Sequence, residues 1–329
     1  MRKRHLKIFS ILLLLTISLV FYIVWENNRV VIKEDTILIE GLTDNQEFSI
    51  LQVTDLHEKE FGENQRRLIK AINSVEYDAI VFTGDMLDDA GSRNYDSFYK
   101  LIEGIQNKEN AFFTEGNTDP ERYKLTAEGN LVKNEFVQGM EKRGVNLLES
   151  IVTIENKNSN IYLLDFELSL MTSETNRQDY EGRIMPSYAV LPEYRDYEEK
   201  LLIEMKALDK MTDSDIVVAL NHYPVADARI EAIQNGGLYE LKDYDAILAG
   251  HYHGGQIRIP FLGALFIPEP WYDRRGFLPP QDRVKGLWEY QGIKQYVSAG
   301  LGSSDAISFL NFRFNNPPEI NVITLTNGQ

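Results

Sequence analysis

Short runs of apolar residues recur along the chain and are separated by amphipathic stretches. Runs of this kind, rich in β-branched and aromatic residues, predict buried strands. The predicted strands are residues 48–53, 79–83, 111–114, 161–166, 216–220 and 246–248. Amphipathic patterns predict helices over residues 64–74, 95–106 and 199–211. The alternation of strand and helix indicates an α/β fold.

The C-terminal part shows strand-like runs without long helices between them, at residues 256–266, 295–299 and 320–326. We expect antiparallel strands here that complete a sheet. Residues 172–196 are rich in charged residues and tyrosine and show little periodicity. This stretch is either a surface excursion or a lid over a site.

The first 30 residues differ from the rest. Residues 8–25 form an uncharged, mostly apolar run, which as a helix spans roughly 27 Å, close to the thickness of a bilayer's hydrocarbon core. Basic residues precede the run, so the positive-inside bias predicts a cytoplasmic N-terminus and an extracytoplasmic remainder. A cleaved signal peptide and a buried core helix are the alternatives. The bulky residues that end the run, Tyr22 and Trp25 among them, favour an uncleaved single-pass anchor in the cell membrane.

The composition limits the metal ligands and the partners that the chain can have. The 329 residues are 43% hydrophobic and include no cysteine, which indicates a globular protein without disulfides or thiolate metal ligands. The formal net charge is −16. Such a charge repels a polyanion, so no nucleic acid is expected as a partner.

Side chains that bind metals follow most of the predicted strands. In chain order they are Asp55 and His57, Asp85, Asn117, His222, and His251 with His253. Each alone fits a turn or a structural histidine. In an open α/β sheet, however, ligands gather at the carboxyl ends of the strands. Together these residues predict a divalent-metal site built from nitrogen and oxygen donors.

Seven side chains are too many for one metal with an open position. They fit two metals about 3.5–4 Å apart that share one carboxylate. Asp85, which follows Gly84 in a tight turn, is the candidate bridge. Two such ions lower the pKa of bound water and clamp a phosphoryl group. The prediction is hydrolysis of a phosphomonoester or phosphodiester by metal-activated hydroxide, with Mn, Fe and Zn all open.

The order and spacing of these residues resemble the calcineurin-like metallophosphoesterase superfamily. The glycine-rich continuation 254–258 and the ending 300–302 and 316–320 resemble its bacterial membrane-associated phosphohydrolase branch. The resemblance implies a four-layer α/β/β/α sandwich with two mixed β-sheets. It covers roughly residues 46–326. The chain thus divides into a basic leader and transmembrane anchor (1–30), a tether with a strand-like stretch at 36–39 (31–45) and the catalytic domain (46–329). The implied substrate is a small-molecule, lipid or cell-envelope phosphoester.

The resemblance also implies an assignment of ligands. One metal would take Asp55, His57, Asp85 and His253, and the other Asp85, Asn117, His222 and His251. Asn117 and Asp119 are the candidate catalytic residues, although Asp119 with Pro120 also fits a turn.

The chain departs from the family at Thr118, where a histidine usually contacts the phosphate and assists the leaving group. We expect a preference for good leaving groups, or help from Asp119 or a metal-bound water. The missing histidine also leaves a second function open, a non-catalytic binding or scaffold domain that kept the fold.

Several further residues have two interpretations each. Asp88 either orients a metal ligand or caps a helix. Two sets of residues either contact the substrate or lie on the surface. They are Arg177 and Arg183, and Trp271, Tyr272, Arg274 and Arg275. Tyr252 either contributes to the site or only packs.

Overall fold

The computed structural model describes residues 2–39, 42, 47–156, 159–171, 185–237, 239–304 and 310–328. The helices are α1 (Arg2–Asn28), α2 (Arg66–Ile72), α3 (Asp96–Gly104), α4 (Glu135–Glu141), α5 (Phe166–Ser169), α6 (Pro192–Glu204) and α7 (Asp227–Gly236). The first eight strands are β1 (Val31–Leu38), β2 (Glu47–Val53), β3 (Ala79–Thr83), β4 (Ala111–Thr114), β5 (Tyr123–Leu125), β6 (Leu131–Lys133), β7 (Asn146–Leu147) and β8 (Ile151–Asn156). The others are β9 (Ser159–Asp165), β10 (Ile216–Leu220), β11 (Ala246–Ala249), β12 (Arg258–Ile259), β13 (Gly263–Ala264), β14 (Gly286–Tyr290), β15 (Ile293–Val297) and β16 (Glu319–Thr326).

The strands form two mixed six-stranded sheets. The first has the order β1-β16-β2-β3-β4-β7 and the second β14-β15-β11-β10-β9-β8. Parallel pairing runs from β2 to β7 in the first sheet and from β9 to β15 in the second. The antiparallel strands β8 and β14 form the edges of the second sheet. β5 with β6, and β12 with β13, form two small hairpins.

The central strands are continuous apolar runs because both of their faces are buried. Alternate residues point to opposite faces, so Ile50, Val81 and Val218 pack between the two sheets. Their neighbours face outward. Phe82 packs with α2 to α4 on the first sheet, and Ala219 packs with α6 and α7 on the second. The order of layers is therefore helix, sheet, sheet, helix.

The two sheets are joined at the end where the site lies. Gln52 of β2 donates from Nε2 to the carbonyl oxygen of Ala249, the last residue of β11, at 2.9 Å. The same atom donates to Thr83 Oγ1, at the end of β3, at 2.9 Å. The carboxyl ends of β2, β3 and β11 therefore meet at one edge of the sandwich.

Some predicted elements differ from the structure. β15 is antiparallel to β14 but parallel to β11, and β16 is antiparallel to β2 but parallel to β1. The helix predicted over 199–211 begins earlier, at Pro192, a residue that favours the first turn of a helix. The strand-like stretch at 36–39 in the predicted tether, 31–45, overlaps the end of a longer strand, β1, which forms an edge of the first sheet.

α1 carries the apolar N-terminal run. Its segment Lys3–Asn28 has a mean hydropathy of 2.6 in its most apolar window, and none of that window is buried. This exposure excludes the buried core helix that the sequence left open. The length and composition fit a membrane span, and they fit a signal sequence as well.

Candidate metal centre

The structure brings the predicted ligands together in two groups that share one carboxylate. Ligand atoms of Asp55, His57, Asp85 and His253 lie within 4.8 Å of one another, and so do those of Asp85, His222 and His251. All of these side chains are buried except His251, which is half-buried. The two groups therefore form one continuous cluster at the edge where the sheets meet.

Asp85 lies at the centre of the cluster. Its Oδ2 is 3.5 Å from His57 Nε2 and 3.2 Å from His222 Nε2. His253 Nε2 is 3.8 Å from Asp55 Oδ1. Asn117 belongs with the second group, since its Oδ1 lies 3.2 Å from His222 Nε2. Asp85 thus faces both groups, as a bridging carboxylate must.

The loops that carry the ligands have unusual backbone conformations. Five of the seven residues adopt φ between 48° and 67°, a region that residues with a side chain rarely occupy. They are Asp55, His57, Asp85, His251 and His253. Strained conformations of this kind concentrate at functional sites.

Two glycines allow the loops after β3 and β4 to approach each other. A Cβ atom on Gly116 would lie 2.2 Å from Asp85 Oδ1, and one on Gly84 would lie 2.5 Å from the backbone nitrogen of Gly116. Gly84 also has φ of 88°, which favours glycine. The sequence needs glycine at both positions for Asp85 to reach the cluster.

Backbone carbonyls orient two of the histidine rings. His222 Nδ1 lies 2.9 Å from the carbonyl oxygen of Thr83, and His251 Nε2 lies 3.3 Å from that of Pro268. A ring nitrogen next to a carbonyl carries the proton and leaves the other nitrogen free for a metal. These free nitrogens, His222 Nε2 and His251 Nδ1, are 3.1 Å apart and face the same point.

The charges of the cluster are unbalanced. Burial raises the pKa of Asp55 to about 7. Burial also raises the pKa of Asp85, but the adjacent imidazoles of His222 and His57 outweigh it and hold that pKa well below its usual range. Burial, with the charge of His222, lowers the pKa of His251 to about 3. Burial lowers the pKa of His222, but Asp85 outweighs it and raises that pKa to about 9. One protonated imidazole does not neutralise two ionised carboxylates, so the cluster requires a further source of positive charge when both aspartates are ionised.

Divalent cations fit this environment. His253 Nδ1 is buried and has no hydrogen-bond partner within the described part of the chain, and such an atom destabilises a fold by about 1–3 kcal/mol. The donors are imidazole nitrogens and carboxylate or carboxamide oxygens, which hold Mn, Fe or Zn. The residues present therefore match a pair of divalent ions.

Three neighbours of the ligands have structural contacts. Asp119 accepts hydrogen bonds from four backbone amides, those of Asp85, Met86, Leu87 and Gly116. Thr118 donates its hydroxyl to the carbonyl of Leu87 at 2.6 Å. Asp88 lies 3.6 Å from His57 Nδ1. The helix-cap interpretation of Asp88 is wrong, because α3 begins only at Asp96.

A cavity of about 400 Å³ adjoins the cluster at Asn117 and His222. Its lining includes Glu115, Arg122 and Asp165. The Arg122 guanidinium donates to both of these carboxylates. Tyr223 also lines the cavity, and its ring centroid is 4.5 Å from that of His251.

Sequence reasoning missed these lining residues. Tyr223 follows His222 and Glu115 precedes Gly116. Their positions next to residues of the predicted site could have identified both. The contact between Arg122 and Asp165 joins positions 43 residues apart, and no local pattern marks it.

Other residues singled out from the sequence lie elsewhere. Trp271, Tyr272 and Arg274 line a separate depression, which none of the predicted metal ligands borders. Tyr252 is buried, packs in a cluster with Trp288 and donates its hydroxyl to Glu269, so it packs as one interpretation expected. Arg177 and Arg183 lie outside the described residues.

Comparison with known proteins identifies the class of this chain. A family model described as calcineurin-like phosphoesterase matches residues 48–255. That match spans more than half of the chain, so the protein belongs to the calcineurin-like phosphoesterase family. With its buried groups of aspartate and histidine, it is a metal-dependent phosphoesterase.

The chain is similar to two uncharacterized metallophosphoesterases of Bacillus subtilis (strain 168). It is 26% identical to YkuE over an alignment of 288 residues that covers 84% of this chain and 79% of that protein. It is 25% identical to YkoQ over an alignment of 328 residues that covers 95% of this chain and 98% of that protein. Among solved structures it is similar to phosphopantetheinyl hydrolase (PptH) from Mycobacterium tuberculosis. That match has 12% identity and a TM-score of 0.38, and it covers 78% of this chain and 90% of that one.

Proposed function

We propose that this protein hydrolyses a phosphoester with two divalent ions, Mn, Fe or Zn. The proposed ligands are those of the cluster, Asp55, His57, Asp85 and His253 for one ion and Asp85, Asn117, His222 and His251 for the other. Such ions, when bound, supply a water-derived nucleophile and neutralise phosphoryl charge. The observation that carries the proposal is the position of Asp85, within hydrogen-bonding range of histidines from both groups.

The residues around the cluster have separable roles in this proposal. Asn117 is exposed, borders the cavity and lies next to His222, so its carboxamide both binds metal and orients the phosphoryl group. Asp119 acts as a positioning residue, since four backbone amides occupy its oxygens. The Thr118 hydroxyl is committed to Leu87. It therefore does not replace a general acid, which favours substrates with good leaving groups.

The substrate proposed is a phosphomonoester or phosphodiester of a small molecule, a lipid or a cell-envelope component. The cavity next to Asn117 accepts the part of the substrate beyond the phosphoryl group. We also propose that α1 remains as a single-pass anchor with the catalytic domain outside the cytoplasm, as in the membrane-associated branch of the family. Its exposed apolar surface supports this assignment.

The test is hydrolysis of an activated aryl phosphodiester by the full-length protein, assayed separately with Mn²⁺, Fe²⁺ and Zn²⁺ and paired with elemental analysis. We expect two metals per chain and turnover in the wild type. Asp85→Asn should abolish turnover and lower the metal content. Asp96→Asn, an exposed aspartate on α3, is the matched control and should change neither. Full activity in Asp85→Asn would refute the site.

The alternative function, a non-catalytic binding domain, is favoured only by Thr118 at the position of the family's histidine. The same experiment separates the two. Two metals per chain without turnover on a broad panel of phosphoesters would support the binding domain and contradict hydrolysis.

A further inference from the structure

The hairpin β12–β13 and the segments paired to it expose an unusual number of apolar side chains. We call this the hairpin patch, and its members are Ile259, Phe261, Leu262, Phe266, Phe277 and Leu278, all more than one-third exposed. Phe261, at the tip, is fully exposed. The backbone is continuous across the patch, since Phe266 pairs with Phe277 and Leu278 donates to Leu265. A connected apolar surface of this kind marks an interaction site.

The patch is attached to the segment on which α1 docks. The backbone nitrogen of Arg258, at the base of the hairpin, donates to the carbonyl of Phe314 at 2.9 Å. The Asn315 side chain donates to the carbonyl of Arg258 at 3.2 Å. Residues 314 and 315 therefore form one wall of the hairpin's base.

The last turns of α1 bind the same short segment, at residues 313 and 315. Tyr22 donates to Asn315 Oδ1 at 2.9 Å, and the Asn315 backbone nitrogen donates to Glu26 at 2.8 Å. Asn27 exchanges two hydrogen bonds with the backbone of Arg313, at 2.7 and 2.8 Å. Glu26 is only 1% exposed. The end of α1 is thus built into the domain and is not a flexible link.

This docking fixes where a bilayer would lie. The apolar residues of α1 up to Phe21 are exposed, whereas Tyr22 and Glu26 are already bonded to the domain. β1 begins at Val31, shortly after α1 ends at Asn28. If α1 spans the membrane, the domain surface around Asn315 therefore rests on the bilayer, with no spacer between them.

We propose that the hairpin patch is a second membrane contact, which enters the interface of the leaflet from which α1 emerges. This inference rests on the anchor proposed above. A lipid surface is the partner that fits, because the patch shares its base with the docked end of α1. Its phenylalanines add buried apolar area. Arg274 and Arg275, exposed beside Phe277, match the phosphates of lipid headgroups.

The contact would place the metal centre beside the bilayer. Arg258 donates to the carbonyl of Gly254, the residue that follows the proposed ligand His253, at 2.9 Å. On the other side of the hairpin, the carbonyl of Pro268 contacts His251. Both flanks of the hairpin thus border the ligands. The substrate class that this arrangement favours is a phosphoester presented at the membrane surface.

The absence of cysteine from the chain allows a direct test with single nitroxide labels. The full-length protein is reconstituted in phosphatidylcholine–phosphatidylglycerol vesicles as Phe261→Cys, Leu13→Cys or Ile203→Cys. Collision with oxygen is compared with collision with a water-soluble nickel chelate. Leu13 reports the anchor, and Ile203, an exposed apolar residue on α6, is the control.

We expect the labels at 261 and 13 to collide with oxygen several-fold more often than with the chelate. The label at 203 should collide more often with the chelate. Suppose that the label at 13 is embedded but the label at 261 collides with the chelate as often as the label at 203 does. The hairpin patch is then not a membrane contact, and the proposed anchor still stands. A water-exposed label at 13 would overturn both. Turnover of a soluble aryl phosphodiester by the same samples tests the hydrolytic function separately.

Discussion

Asp119 shows how a single carboxylate organises this site. It is buried, and its two oxygens accept from backbone amides on either side of the cluster. Those amides belong to the loops that follow β3 and β4. The carboxylate therefore fixes the distance between the loops that carry Asp85 and Asn117. From the sequence, Asp119 is either a catalytic group or a turn residue. Neither interpretation includes this contact, because it depends on how the two loops meet in three dimensions.

Replacing Asp119 should weaken the fold more than the chemistry. Asp119→Ala leaves four backbone amides without their acceptor, so we expect the free energy of unfolding to fall by about 1–3 kcal/mol. The free energy of unfolding of Asp119→Asn should fall by less, because asparagine keeps one oxygen acceptor. Urea denaturation measures both, with Asp96→Ala as an exposed control. If Asp119→Ala is as stable as the wild type, fully metallated and inactive, the residue is catalytic and not a positioning residue.

Gly116 provides a second test at this scale. A methyl group there would overlap the Asp85 carboxylate, so Gly116→Ala should displace that side chain and lower the metal content by at least half. Gly91→Ala is the matched control, because its Cβ would meet only the end of the Asp89 side chain, at 3.0 Å. Elemental analysis of the two variants decides the question. Equal metal contents would show that the loop after β4 moves without loss of the site.

At the scale of elements, the segment after residue 310 holds together the loops around the ligands. Arg313 is fully buried, and its guanidinium donates to the carbonyls of Gly302 and Ala299, each at 2.5 Å. Asn316 donates to the carbonyl of His253 at 2.6 Å. The backbone of Gly302 in turn donates to the carbonyl of Asp55. This segment thus positions ligands from both sheets, although it contributes none itself.

Arg313→Lys tests that role. A planar guanidinium reaches several carbonyls at once, and a lysine ammonium does not reproduce that geometry. We expect unfolding at lower denaturant concentration, with a loss of about 1–3 kcal/mol for the carbonyls left without donors. Arg195→Lys, on an exposed arginine of α6, should change stability by less than about 0.5 kcal/mol. A similar loss in both variants would mean that Arg313 contributes only its charge.

The elements that the sequence predicted well are those buried on both faces. β2, β3, β4 and β10 lie within one residue of their predicted limits, because a strand between two layers is apolar throughout. The prediction of a strand over residues 256–266 was wrong for the opposite reason. Its apolar residues are largely exposed in the hairpin patch, and only two-residue strands form there. The antiparallel prediction for β15 was confirmed against β14 and wrong against β11, because the direction of pairing depends on the partner strand, which the local pattern does not specify.

At the scale of the whole molecule, the candidate site lies between the two sheets. Asp55, Asp85 and Asn117 follow strands of the first sheet, and His222 and His251 follow strands of the second. The sequence placed these residues at strand ends, and the structure brings them together. The residues that hold the two sets of loops in register, Gln52 and Arg313 among them, carried no signal in the sequence. Ions bound here would therefore connect the two halves of the sandwich.

Metal removal should consequently destabilise the whole domain and not only abolish turnover. Ions that bind the folded state alone contribute about 4 kcal/mol when present at a thousand times their dissociation constant. For a domain of this size the melting temperature should fall on the order of 10 °C after chelation and recover with Mn²⁺. Differential scanning calorimetry measures the shift. Asp85→Asn, which lacks the shared carboxylate, should already melt near the chelated value and respond little to chelator. If chelation abolishes turnover while the melting temperature of the wild type stays constant, the ions bind too weakly to stabilise the folded state, and the shared high-affinity site assigned to Asp85 is wrong.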